Sequence, residues 1–192
     1  MEYPLMSPPF ELLDFSEMKD KDAKVHLNWY IGQIPIRIEL LSKAYKKIGG
    51  GEAEDLDFSK NSLVKLWSWY INNAEIASKS SQELEKEYAS ANVMTKTNIN
   101  TIKVKVGWMA IANDISIYFA QCMINNNSQL EWGYVSKPKS LSYVNKPIIK
   151  GFKNNIEMDA TNLIFVQTRK ILKGVKDENA LEKLFENWQN KI

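Results

Sequence analysis

The sequence predicts a mostly helical α+β fold, a single globular domain spanning residues 1–192 around a buried central helix, with a small antiparallel β-hairpin or sheet. Three observations predict it. Residues Thr101 to Ile124 are apolar nearly all round, which suits a helix in the middle of a domain. Leu130, Trp132 and Tyr134 then alternate as a half-buried strand should, and a second strand is expected near Ile148 to Phe152. The remaining apolar stripes repeat at helical spacing between capping residues.

Length and composition support one core. The chain has 192 residues and 44% hydrophobic content, enough for one sizeable domain. With 25 basic and 23 acidic side chains, no strong overall field steers it toward nucleic acid or an anionic membrane. The single Cys122 has no internal disulfide partner and lies on the apolar helix, where a thiol acts as a small hydrophobe. Met1-Glu2-Tyr3-Pro4 lacks the basic start and apolar run of a secretory signal. The longest apolar run contains Asn113, Asp114 and Gln121, and one Asp at a bilayer centre costs about 2.5 to 3.5 kcal/mol. A cytoplasmic protein without a membrane span is expected.

Ser16 is placed as the cap of a first helix carrying Met18, Val25 and Trp29. Pro35 is expected to end it, because proline disfavours helical geometry at Ile34 and suits the first turn of a new helix. The second helix, with the stripe Ile34, Ile38, Leu41, Tyr45 and Ile48, stops at Gly49-Gly50-Gly51, which supply left-handed conformations without steric cost. Ser59 caps a third, whose buried set is Leu63, Leu66, Trp67, Tyr70, Ile71 and Ala74. The polar stretch 78–100 is expected to be a mobile internal loop region with a short helix at Gln82 to Tyr88. Asn125-Asn126-Asn127 stop the central helix. Asp159 caps a helix ending at Gly174, and Asp177 caps a last one facing Leu181, Leu184, Phe185 and Trp188 inward.

Three groups of residues are site candidates, each set against a plainer reading. Asp114, Tyr118 and Gln121 share one stripe of the central helix, where a carboxylate acceptor and a tyrosine donor could line a pocket. The plainer reading, which is favoured, is structural, since buried polar stripes more often satisfy neighbouring groups. Trp69 lies about 200° round its helix from Trp67 and so points away from the core stripe. Cover by the hairpin or the polar stretch is favoured over a role as a partner anchor.

Between Trp132 and Ile156 there is no acidic residue, while Lys137, Lys139, Lys146, Lys150 and Lys153 are interleaved with Tyr134, Tyr143 and Phe152. Lysines for phosphates and aromatics for bases would suit nucleic acid. An edge hairpin protected by lysines is the favoured reading. Lys137, Lys139 and Tyr143 join Trp69 as candidate partner-binding residues.

Other chemistry fails on spacing. His26 is the only histidine, so a multi-histidine metal site is excluded and it is assigned no role. The run Glu52, Glu54, Asp55 and Asp57 does not match a calcium loop, since counting from Asp55 puts Lys60 where Gly is needed and Leu66 where a bidentate Glu is needed. The triple glycine lacks the Gly-Lys-Ser/Thr ending of a phosphate loop. No metal, cofactor or catalytic residue is assigned.

The acidic helical start, Phe-Ser-x-x-Ser-Leu at Phe58 to Leu63, Asp-x-x-x-Tyr at Asp114 and Tyr118, Trp-Gly-Tyr at Trp132 to Tyr134 and Asn-x-Pro at Asn145 to Pro147 form an order of parts. From about Phe15 onward it resembles small bacterial proteins, some of the kind that accompany toxins as immunity partners. The resemblance implies an acidic residue where this chain has Gln121, so no two-carboxylate site is carried over. The leading expectation is a protein-interaction module, of the immunity or inhibitor kind, for a toxin or defence enzyme. The alternatives are a small-molecule-binding or enzymatic domain with a pocket at Asp114 and Tyr118, and nucleic-acid binding through the hairpin.

Overall fold

The computed structural model describes residues 2–91 and 99–192. Among them are six α-helices and two antiparallel strand pairs, so the fold is mostly helical α+β as the sequence predicts. In chain order these are α1 (Asp20–Lys47), α2 (Lys60–Asn73), β1 (Ile76–Ser78), α3 (Ser81–Ser90), β2 (Ile102–Val104), α4 (Val106–Asn126), β3 (Glu131–Gly133), β4 (Ile148–Lys150), α5 (Ala160–Ile171) and α6 (Ala180–Gln189).

Helix α4 is the axis. Ile111, Ile115, Ile117, Tyr118, Phe119 and Met123 are completely buried along it. It packs against α5, α1, α2 and α6, so its whole circumference is covered and an apolar surface all round is stable. Its end is sealed by its own asparagines: the side-chain amides of Asn126 and Asn127 donate to the Cys122 and Met123 carbonyls at 2.7 and 2.8 Å, satisfying acceptors the helix leaves open.

Several boundaries differ from the sequence expectation, each for a local reason. Pro35 does not divide two helices, since α1 runs through it from Asp20 to Lys47. Pro35 and Ile31 are both exposed, so the Ile31 carbonyl that loses its amide partner faces water, while Ile34, Leu41 and Tyr45 stay buried on the other side. The N-cap is Lys19 rather than Ser16, whose amide and hydroxyl both donate to the Asp14 carboxylate in a preceding turn. Val25 is exposed and plays no part in the core.

The central helix begins at Val106, not Thr101, because Ile102–Val104 pair antiparallel with Ile76–Ser78. That pairing joins segments on either side of α3, a partner no local pattern announced. Helix α3 extends the expected Gln82 to Tyr88 turn at both ends and opens on a capping box, with the Ser80 hydroxyl accepting from the Glu83 amide and the Glu83 carboxylate from the Ser80 amide. Residues 92–98 of the expected loop region 78–100 lie outside the described residues.

Other expectations stand. Ser59 caps α2 and Asp159 caps α5, each accepting from the third amide onward. The cap expected at Asp177 falls instead at Asn179, because Asp177 accepts from the Asn179 amide in the turn before the last helix. Strands β3 and β4 pair with Trp132 opposite Ile149. The strand exits at Gly151, with φ of 103°, where an added Cβ would stand 2.1 Å from the Gln129 carbonyl oxygen.

Two stability tests follow from this packing. Phe119→Ala should destabilise by about 3 to 5 kcal/mol in urea unfolding, and a loss below about 1 kcal/mol would place the ring outside the tight core. Gly151→Ala should cost at least about 1 to 3 kcal/mol through its backbone conformation, with the Gln129 clash added, and an unchanged urea midpoint would refute that.

Candidate functional site

The first residues of the chain form an extended strap rather than a helical start. Pro4, Pro8 and Pro9 have no amide donor and favour extended geometry. Among the described residues, none from 2 to 13 exchanges a backbone hydrogen bond with another backbone group. What fixes the strap is side-chain chemistry at its two ends.

At the first end the Tyr3 hydroxyl donates to Asp114 Oδ2 at 2.5 Å, and the Pro4 carbonyl accepts from Arg37 Nη2 at 2.8 Å. Arg37 reaches Asp114 with two nitrogens, Nε to Oδ1 and Nη2 to Oδ2, both at 2.8 Å. Its guanidinium carbon lies 5.4 Å from the centre of the Tyr3 ring, in cation–π range. Asp114 is completely buried and Arg37 almost so, which makes this a desolvated ion pair closed on one side by the N-terminal tyrosine. Burial raises the Asp114 carboxyl above the usual range, and the Arg37 and Tyr3 hydrogen bonds oppose that rise. Burial first, then the Asp114 charge, pushes the Tyr3 hydroxyl up, so it remains a proton donor to the carboxylate.

At the second end the β3–β4 connection holds the strap. The Asn145 amide donates to the Phe15 and Met18 carbonyls at 2.7 and 3.1 Å, and Lys139 Nζ donates to Met18 O at 2.7 Å. Asn145 is buried and sits at a φ of 59°, a conformation asparagine tolerates.

Between these anchors the strap borders a cleft of about 560 Å³ whose other walls are α1, α4 and α5. The lining is aromatic and aliphatic: Phe15 meets His26 edge to face and Trp29 lies tilted against it, with ring centres 5.1 and 5.5 Å away, and Met6, Met109 and Phe165 add to the lining. His26 is 5% exposed, its Nδ1 has no hydrogen-bond partner among the described residues, and burial lowers its pKa, so the imidazole is neutral near pH 7. Asn113, Asp159, Thr161 and Asn162 supply the polar margin. A cleft of this size, mostly apolar with a few polar groups, has the character of a binding site.

The polar stripe of α4 does not converge on one pocket. Asp114 turns to Arg37 and Tyr3. Tyr118 accepts from the Phe58 amide at 2.8 Å and its hydroxyl is hydrogen-bonded to that of Ser62 at 2.7 Å, while Gln121 accepts from Trp132 Nε1 at 2.7 Å. One helix thus ties down three different elements, and none of the three side chains lines the cleft.

Trp69 points away from the Trp67 stripe yet is covered, as the favoured reading expects, and so is not an exposed partner anchor. It is 5% exposed and packed between Tyr45 of α1 and Trp108 of α4, with ring centres 5.4 and 5.6 Å away. Within the hairpin, Lys137 is exposed, Lys139 is committed to Met18, and the Tyr143 hydroxyl donates to Glu157 at 3.2 Å. Tyr134 likewise donates to Asp20. The structure therefore does not assemble Trp69, Lys137, Lys139 and Tyr143 into a common face.

Sequence reasoning passed over Tyr3, Arg37 and the strap. The available signals were Arg37, one of only two arginines, set among the apolar residues of α1, and the prolines spaced through an apolar start. Among the described residues no group of three His, Cys, Asp or Glu side chains gathers as a metal site, and no helix is long and apolar enough to cross a membrane. Comparison with family models, curated proteins and solved structures finds no match to the chain. Fold and site define a mostly helical α+β protein with an aromatic cleft bordered by a pinned N-terminal strap.

Removing one partner of the buried pair leaves a desolvated charge. Arg37→Met should destabilise by about 3 to 5 kcal/mol, and Tyr3→Phe by about 1.5 to 3 kcal/mol through the lost hydrogen bond to a charged group. Urea unfolding of both variants measures this, and a Tyr3→Phe midpoint equal to that of the parent would mean the strap is not fastened there.

Proposed function

We propose that the protein is an interaction module that captures a protein partner along the strap and the lip of the cleft. The observation that carries the reading is the exposure of large apolar side chains where the chain is fixed: Leu5 is 61% exposed, Leu12 48% and Val106 61%, all three lining the cleft. Leu13, 44% exposed, lines the groove beside it. Contiguous exposed apolar groups beside a preformed aromatic cleft are the usual makings of a protein interface, with the cleft accepting an anchor side chain.

The partner we propose is a toxin or defence enzyme, with this chain as its cytoplasmic immunity or inhibitor protein; the support is the resemblance in the order of motifs from Phe15 onward. A second reading, small-molecule binding, is favoured by the volume and aromatic lining of the same cleft. Nucleic-acid binding through the hairpin has less support, since Lys139 and Tyr143 are engaged within the molecule.

A growth-rescue assay separates these. Expression of the neighbouring open reading frame alone should arrest growth and this chain should restore it. Leu5→Asp with Leu12→Asp should abolish rescue at an unchanged melting temperature, because neither side chain is buried. A harmless neighbouring product would defeat the immunity proposal. Full rescue by the double variant, with loss on Trp29→Ala, would transfer the function to a small ligand in the cleft.

A further inference from the structure

Resting on that protein-binding reading, we infer that the partner presents a basic segment carrying an apolar anchor, which lies along the strap and inserts the anchor into the Trp29 cleft. The strap is both apolar and acidic. From Glu2 to Met18 it carries Glu2, Glu11, Asp14 and Glu17 and no basic residue, although the whole chain has a net charge of +2. All four carboxylates are exposed on the segment that carries the exposed Leu5, Leu12 and Leu13, with Glu11 and Asp14 next in sequence to Leu12 and Leu13.

The cleft does not cancel this charge. Arg37 is neutralised by Asp114, and the remaining lining charges are one cation, Lys146, and one carboxylate, Asp159. Lys146 lies close enough to Asp14 to act on it, and Lys139 is turned onto the Met18 carbonyl. A ligand reaching the leucines therefore passes a carboxylate-rich edge. An acidic partner would meet repulsion and a basic one would be drawn in and held in register. The aromatic lining adds to this preference, since the faces of Trp29 and Phe15 accept an aliphatic or aromatic anchor and attract a neighbouring cation.

The test uses the full chain and three synthetic peptides in isothermal titration calorimetry. One carries a Leu-Trp anchor flanked by lysines, the second has glutamate for each lysine, and the third keeps the lysines with alanine for the anchor. Only the first should bind, and its affinity should fall about tenfold between about 50 and about 300 mM salt. Charge reversal at Glu2→Lys, Glu11→Lys and Glu17→Lys, checked by its melt, should lose the first peptide and gain the second.

Binding of the second peptide to the parent chain, equal binding of the third, or no binding by any of them overturns the inference. The rescue assay with Leu5→Asp and Leu12→Asp is independent of these peptides, so a wrong choice of partner charge and a wrong choice of docking face give different results.

Discussion

The buried ion pair between Arg37 and Asp114 joins the two longest helices and is the constraint on which the site depends. A carboxylate and a guanidinium taken out of water lose hydration that their attraction only just replaces, so they require good geometry and satisfied remaining lone pairs. Two 2.8 Å contacts provide the geometry. Tyr3 and the Pro4 carbonyl complete it, which is why the N-terminal segment, lacking backbone partners of its own, has a fixed course. The strap in turn supplies one wall of the cleft.

Helix α4 shows how one apolar helix can also organise polar structure. Its hydrocarbon surface is covered by four other helices, and its isolated polar groups each bind a different element: Asp114 the strap and α1, Tyr118 the entry to α2, Gln121 the Trp132 indole of β3. A buried hydrogen bond adds modest net stability, while a buried group without one is costly, so these contacts act mainly by excluding alternative packings. Trp132 and Tyr30, in ring contact at 5.3 Å, carry the same ordering from the small sheet to α1.

The surface differs in character from end to end. Lysines on the hairpin connection are used partly as structural donors, as Lys139 is, whereas the carboxylates of the strap are exposed on the same segment as the exposed leucines. Holding apolar side chains in water on a segment fixed at both ends is unfavourable for an isolated molecule and useful for one that binds.

The amino-acid sequence by itself determined the helical character of the chain, the central position of residues 106 to 124, the stop at the asparagines, the caps at Ser59 and Asp159 and the β3–β4 pairing. All of these rest on interactions within a few residues or on patterns of fixed period. Tertiary structure decided the rest. Pro35 stayed inside α1 because the freed carbonyl faces water, and Trp69 was buried because α1 and α4 close over it from elsewhere in the chain. Tyr3 met Asp114 across 111 residues, and strands β1 and β2 met around α3. No local period encodes such encounters: burial of the apolar faces brings the groups together, and the cost of leaving a buried charge or donor unpaired then selects their partners.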